Sequence, residues 1–185
     1  MQIYGDSYAQ ANLGIIFSNP IYNCLDSEKA MNYLELAANQ NNPLALFQLG
    51  LIYKKGLITE RNIDKAIKYY EEAAKLDNSS AQYNLGLLYY DGIYITQNIN
   101  KSIYYFQLAA NHNNLDAFYS LGIIYYTFFP QDIKKAILYL RYAANQNHSQ
   151  AQCVFGCMYY ESPYIEHDIN KAIHYLTLSA NQNNI

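Results

Sequence analysis

Apolar residues recur at three- and four-residue spacing through runs of about a dozen positions, and polar or turn-forming residues interrupt them at matched places. In the stretch PLALFQLGLIYKKG, Ala45, Leu46, Leu49, Ile52 and Tyr53 fall on one side of an amphipathic helix, which Gly56 ends as Gly92 does in the next stretch. Ile63, Ala66, Ile67, Tyr70, Ala73 and Ala74 then mark a second helix. That second helix opens at Asn62, and Asp26, Asn98, Asp132 and Asp168 hold the equivalent position. Each offers a side-chain oxygen to the orphan amides of a first turn, so five N-caps are expected. Asn41, Asp77, Asn113, Asn147 and Asn183 follow the second helix, and Asn and Asp tolerate the left-handed backbone that closes a helix. The unit therefore reads as helix A, a loop of roughly 6–8 residues, helix B and a tight turn.

The unit recurs. Glycines at 14, 50, 86, 122 and 156 lie 36, 36, 36 and 34 residues apart. Alanine pairs begin at 37, 73, 109 and 143, relaxed to Ser179-Ala180 in the last copy. The two series slip by two residues between Gly122 and Ala143, which places a deletion in the fourth copy. There Thr127 to Gln131 replaces the longer loop, and Phe128 and Phe129 are exposed unless they pack locally or meet a partner. The expected organisation is all-α, one repeat domain over 1–185, with copies at about 7–42, 43–78, 79–114, 115–148 and 149–184. A mid-helix glycine costs about 1 kcal/mol relative to alanine, so five of them imply a close helix approach. Ala30, Ala66, Ser102, Ala136 and Ala172 are the expected counterparts on helix B, with Tyr33, Tyr69, Tyr105, Tyr139 and Tyr175 packing across the same seam. One helix pair leaves both flanks apolar, and stacking the copies into a curved rod buries them.

Composition narrows the chemistry. Charged residues make up only 15% of the 185, against roughly 25% typically, while Tyr reaches 22 and Trp is absent. A net charge of −3 argues against a nucleic-acid partner, which needs a concentrated basic footprint. Lys54, Lys55, Arg61, Lys65, Lys68 and Lys75 cluster in one copy, but Glu60, Asp64, Glu71, Glu72 and Asp77 interleave with them. That is a solvated mixed-charge surface. No apolar run approaches the roughly 18 residues of a membrane span, and the start, MQIYGDSYAQ, has no secretory pattern. Cys24, Cys153 and Cys157 form no disulfide framework, and Cys153 and Cys157, four apart, read as core neighbours. An intracellular, cytoplasmic location with reduced thiols is expected. His112, His148, His167 and His174 share neither a repeat position nor metal-ligand spacing, so neither a metal nor a cofactor is expected. In Glu166-His167-Asp168, Asp168 already has a capping role, and no phosphate loop or dinucleotide fingerprint is present. Lys29, Lys65, Lys101, Lys135 and Lys171 read as long stems lying over apolar surface.

The series A-x-x-x-L-G-x-x-Y, then G, then D-x-x-K-A, then A-A resembles the Sel-one-like repeat, a relative of the tetratricopeptide repeat. Ala45, Leu49, Gly50, Tyr53, Gly56, Lys65, Ala66, Ala73 and Ala74 match it in the second copy. Ala81, Leu85, Gly86, Tyr89, Gly92, Lys101, Ala109 and Ala110 match it in the third. The resemblance spans roughly residues 7–184. Ile58 and Tyr94 stand where the family's loop has a second glycine, and Asn or Asp replaces its inter-repeat glycine. The first copy has Asn19-Pro20 in its loop and the last Ser162-Pro163.

The resemblance implies a right-handed α-solenoid acting as a non-enzymatic adaptor. A secreted, penicillin-binding branch of the family carries paired cysteines in every repeat, which this chain lacks. By analogy with tetratricopeptide arrays, the A helices line a concave groove. Its positions are Phe47, Tyr83, Tyr119 and Cys153; Leu51, Leu87, Ile123 and Cys157; and Lys54, Tyr90, Tyr126 and Tyr160. Such a tyrosine-rich channel suits an extended or helical peptide, since tyrosine joins large contact area to a hydroxyl. Lys54 and Lys55 have no basic counterparts in neighbouring copies, so a multi-lysine carboxylate clamp is not expected. Two other readings are a regulatory module of a signalling or quality-control assembly, for example kinase-associated, and a hydrolase, which needs converging titratable groups. Asn181 to Ile185 falls where an inter-repeat turn belongs, with no polar capping helix after it, which points to self-association through the terminal repeats or to a longer array.

Overall fold

The computed structural model describes residues 5–22 and 24–182, so the turn expected at Asn183 lies outside them. Among the described residues the regular structure is entirely helical. The helices are α1 (Ser7–Ser18), α2 (Ser27–Ala38), α3 (Pro43–Lys55), α4 (Ile63–Lys75), α5 (Ser79–Asp91), α6 (Ile99–Asn111), α7 (Leu115–Phe128), α8 (Ile133–Asn145), α9 (Ser149–Glu161) and α10 (Ile169–Gln182). Odd-numbered helices are the A helices and even-numbered ones the B helices. The chain divides into two units, Met1–Asn98 carrying α1 to α5 and Ile99–Ile185 carrying α6 to α10.

Turn chemistry sets the helix boundaries. Asn41, Asp77, Asn113 and Asn147 all have positive φ, between 56° and 64°. Each B helix that precedes them closes in a Schellman motif. Asn78 N–H reaches the Ala73 carbonyl and Asp77 N–H the Ala74 carbonyl, both at 3.1 Å, and Asn42, Asn114 and His148 repeat the pattern. The alanine pairs thus supply the last carbonyls of helix B as well as buried surface. Gly56 and Gly92, at φ 68° and 65°, end α3 and α5.

B-helix capping follows the expectation at Asp26, Asn62 and Asp168, whose side chains accept from the amides of Lys29, Lys65 and Lys171 at 2.9–3.0 Å. Those amides, together with the lysine side chains, hold the Asp26 and Asp168 carboxyls below the usual range. Asp132 departs from the expectation and makes no side-chain cap. In the shortened fourth copy Pro130–Asp132 winds into a 3-10 turn that leads straight into α8, so Asp132 is not extended as a cap residue must be. Its carboxylate pairs with Lys135 Nζ at 3.1 Å instead. In the same loop α7 runs on through Phe128, and Phe129 packs against the Tyr125 ring at 5.7 Å.

The glycines do mark close approach, but their counterparts are large side chains. A Cβ on Gly14 would lie 2.5 Å from Leu34 Cγ, on Gly50 2.5 Å from Tyr70 Cδ1, on Gly122 2.5 Å from Leu140 Cγ, and on Gly156 2.9 Å from Leu176 Cγ. Ala30 and Ala172, the small residues expected there, come nearest Gly14 and Gly156 through their carbonyl oxygens, farther off than the leucine Cγ atoms. On α2, α4, α8 and α10, helix B therefore drives a knob, one turn beyond its small residue, into the hole that a missing side chain leaves in helix A. Leu34, Tyr70 and Leu140 are fully buried there, and Leu176 is half-buried.

Beside each knob the expected tyrosine seam is present as parallel ring stacks. Tyr33 lies on Phe17, Tyr69 on Tyr53, Tyr139 on Tyr125 and Tyr175 on Tyr159, with centroids 5.8–6.1 Å apart and planes within 15°. The recurrent lysines lie over the same A-helix rings: Lys29, Lys65, Lys135 and Lys171 sit 4.9–5.4 Å from the centroids of Phe17, Tyr53, Tyr125 and Tyr159. Their long stems thus carry a cation–π contact as well as apolar cover.

Two stability predictions follow from the knob. Gly50→Ala and Gly122→Ala each destabilise the fold by about 1–3 kcal/mol in urea titrations despite alanine's better helix propensity, because the added methyl meets a packed ring or branched carbon. Conversely, the Tyr70 hydroxyl is buried without a hydrogen-bond partner and burial pushes its pKa far up. Tyr70→Phe is expected to leave stability unchanged or raise it by up to about 1 kcal/mol in the same titration.

Candidate functional site

Committing one face of each A helix to the knob and its surroundings leaves another face outside the buried core. On α3, Ala45, Leu46, Leu49, Ile52 and Tyr53 are buried, whereas Phe47, Leu51 and Lys54 remain half-buried. On α5, Ala81, Gln82, Leu85 and Leu88 are buried, whereas Tyr83, Leu87 and Tyr90 are half-buried. Phe47 rests against the knob ring of Tyr70, centroids 5.9 Å apart. Lys54 Nζ donates to Asn84 Oδ1 at 3.1 Å, linking α3 to α5 across this face. Partial burial lowers the Lys54 pKa, with Asp91 opposing that shift.

In the second unit the equivalent positions fall on α7 and α9. Tyr119 and Ile123 on α7 are half-buried against a cluster that contains Phe155 and Met158. Tyr126 is exposed and stands edge-on to Tyr164 at 6.1 Å, and Tyr160 on α9 is also exposed. None of the nine apolar or aromatic stripe residues (Phe47, Leu51, Tyr83, Leu87, Tyr90, Tyr119, Ile123, Tyr126 and Tyr160) belongs to the buried core.

Cys153 and Cys157 correct an expectation. Cys153 is exposed and Cys157 half-buried, so they face out along the stripe rather than into the core. The reason is register: on α9 the core positions fall at Ala151, Gln152, Phe155, Gly156 and Met158. Burial, then Cys153, raises the Cys157 pKa, which keeps that thiol protonated and a poor nucleophile near neutrality. Asp168 in Glu166-His167-Asp168 is engaged by the Lys171 amide and ammonium. Among the described residues, no three His, Cys, Asp or Glu side chains gather as a metal site, and no helix is long and apolar enough to cross a membrane.

Sequence reasoning missed the residues that join successive copies. Each left-handed turn residue is followed by one whose side chain caps the next A helix. Asn42 Oδ1 accepts from Leu44 and Ala45 amides at 3.0 and 3.1 Å while its Nδ2 donates to Ser7 Oγ at 3.2 Å, back at the start of α1. Asn78 Oδ1 accepts from Ala81 N–H at 2.9 Å and its Nδ2 donates to the Pro43 carbonyl at 3.2 Å. Asn114 caps α7 through Ala117 N–H, and His148 caps α9 through Ala151 N–H. Their signal in the sequence is the paired polar residues at 41–42, 77–78, 113–114 and 147–148.

Comparison with known proteins agrees with this architecture. The family model described as Sel1 repeat matches residues 7–42, 43–78, 79–114, 118–148 and 149–184, its fourth match starting three residues later than the copy boundary expected at 115. A Sel1 repeat protein from Oxalobacter formigenes has a similar structure, with 25% identity, a TM-score of 0.88, and coverage of 97% of this chain and 74% of that one. The c5321 protein of uropathogenic Escherichia coli, described as a protective antigen with an SLR fold, gives 27% identity and a TM-score of 0.87. That match covers 96% of this chain but only 38% of the Escherichia coli protein. No curated protein matches the chain. The fold class is thus the all-helical solenoid of these relatives, and such repeats commonly serve as protein-interaction modules rather than catalysts. On five consecutive repeat matches, carried by the glycine knobs and alanine-pair turns described above, the chain belongs to the Sel1 repeat family.

Proposed function

We propose that this chain is a non-enzymatic adaptor that holds a peptide or protein segment along the tyrosine-rich face of its A helices. One observation carries the reading: the same helical positions in both units hold large apolar or aromatic side chains that stay outside the buried core, from Phe47 and Tyr90 to Tyr126 and Tyr160. Such rings offer large contact area at low entropic cost, and their hydroxyls can meet a peptide backbone. The three free cysteines fit a reducing, intracellular setting for that role.

The double variant Tyr90→Ala with Tyr126→Ala tests this. Peptides selected from a random displayed library against the wild-type chain are expected to bind the variant at least about tenfold more weakly, with unchanged helical circular dichroism. Undiminished binding overturns the reading, and lost helicity assigns the rings to the core.

A second partner class is favoured by a separate observation. Leu13 and Ile16 on α1 are 39% and 41% exposed, whereas their equivalents Leu49 and Ile52 on α3 are 0% and 2% exposed beneath the preceding B helix. Ile169 and Ile173 on α10 are exposed as well. We propose that these faces meet in a second copy of the chain. Sedimentation is expected to show concentration-dependent association that Leu13→Glu or Ile173→Glu abolishes; a monomer at all concentrations overturns it.

A further inference from the structure

His148 occupies a junction position that carries an amide side chain at Asn42 and Asn78. An asparagine there does two jobs with two chemically fixed atoms. Its Oδ1 accepts from the first turn of the A helix that follows, and its Nδ2–H donates back to the start of the preceding A helix. His148 does both with its ring. Nδ1 accepts from Ala151 N–H at 3.1 Å, as Asn78 Oδ1 accepts from Ala81 N–H. Nε2 lies 3.0 Å from Asp116 Oδ1, in the first turn of α7. A backbone N–H can only donate, so Nδ1 must present its lone pair. The ring proton therefore sits on Nε2, where the Asp116 carboxylate accepts it.

We propose that His148 makes the junction between the fourth and fifth repeats sensitive to pH, so that protonating its ring uncaps α9. An imidazolium carries hydrogen on both nitrogens and has no acceptor left for Ala151. Histidine is the side chain whose charge ordinarily changes between pH 5 and 8, whereas asparagine at the equivalent junctions does not titrate. Two groups on α7 face the ring, the Asp116 carboxylate and the Tyr119 phenol, whose ring stacks at 5.2 Å. From α9 it meets the amides of a helix N-terminus, the positive end of the dipole. The preceding turn, Gln146 and Asn147, is uncharged. An imidazolium still donates to that carboxylate through Nε2. Acid therefore keeps the ring on α7 while α9 loses its cap. The switch needs no occupant of the stripe, although Tyr119 belongs to both.

Amide NMR on the full chain from pH 8 to pH 5 provides the test. The Ala151 amide is expected to shift with the titration of the His148 ring, and its exchange protection to fall roughly fivefold, the size of a lost N-cap. Ala81, capped by Asn78, serves as the internal reference and stays constant. His148→Asn, which replaces the ring with the side chain used at the other junctions, is expected to hold Ala151 protected and unshifted throughout. A constant Ala151 amide in the wild type while the ring titrates overturns the proposal. So does the same pH dependence surviving in His148→Asn, or ring nitrogen shifts that place the neutral proton on Nδ1.

Discussion

The fold turns on one contact repeated along the chain, in which a large B-helix side chain is seated on an A-helix glycine. With the Cβ absent at Gly14, Gly50, Gly122 and Gly156, Leu34, Tyr70, Leu140 and Leu176 reach the A-helix backbone at distances that no other residue would allow. The helix-propensity cost of each glycine is offset by burying a whole leucine or tyrosine, a gain of roughly 1.5–3 kcal/mol for an aliphatic chain. Once the two helices are that close, the neighbouring positions follow. The aromatic residue three positions after these glycines stacks against the B-helix tyrosine, and the lysine four positions before that tyrosine lies over the A-helix ring.

Few charges are needed in this scheme because neutral side chains do much of the ordering. Asn41, Asn113 and Asn147 take the left-handed turn as Asp77 does, Asn62 caps a B helix as the Asp26 and Asp168 carboxylates do, and Asn42 and Asn78 link successive A helices. Buried glutamines contribute in the same way. Gln82 and Gln152 Nε2 each donate to the second alanine carbonyl of the preceding B helix, at 3.1 Å. An asparagine-rich, charge-poor chain is ordered by such defined donors and acceptors, although Gln82 Oε1 and the Tyr70 hydroxyl are buried without a partner.

Tyrosine is divided between two tasks. One set is locked into parallel stacks under lysine and contributes to stability; the other stands along the A-helix face outside the buried core. Knob packing separates the sets, because it fixes which side of helix A turns inward.

The helix pairs, their boundaries and the repeat period were legible from one sequence, because hydrophobic spacing, Asn or Asp caps and left-handed turn residues act within a few positions of the backbone they organise. Asn41, Asp77, Asn113 and Asn147 could be placed in turns with no knowledge of their neighbours in space. What each glycine meets could not be read, since both Ala66 and Tyr70 lie on the inward face of α4 and only the helix crossing selects Tyr70. Likewise Asp132 has the right residue type for a cap, but the shortened loop denies it the backbone angle. The second role of Asn42, Asn78 and His148 spans more than thirty residues, from one A helix to the start of the one before. Spacing along a chain determines local backbone closure; contacts between helices depend on distances that only tertiary packing sets.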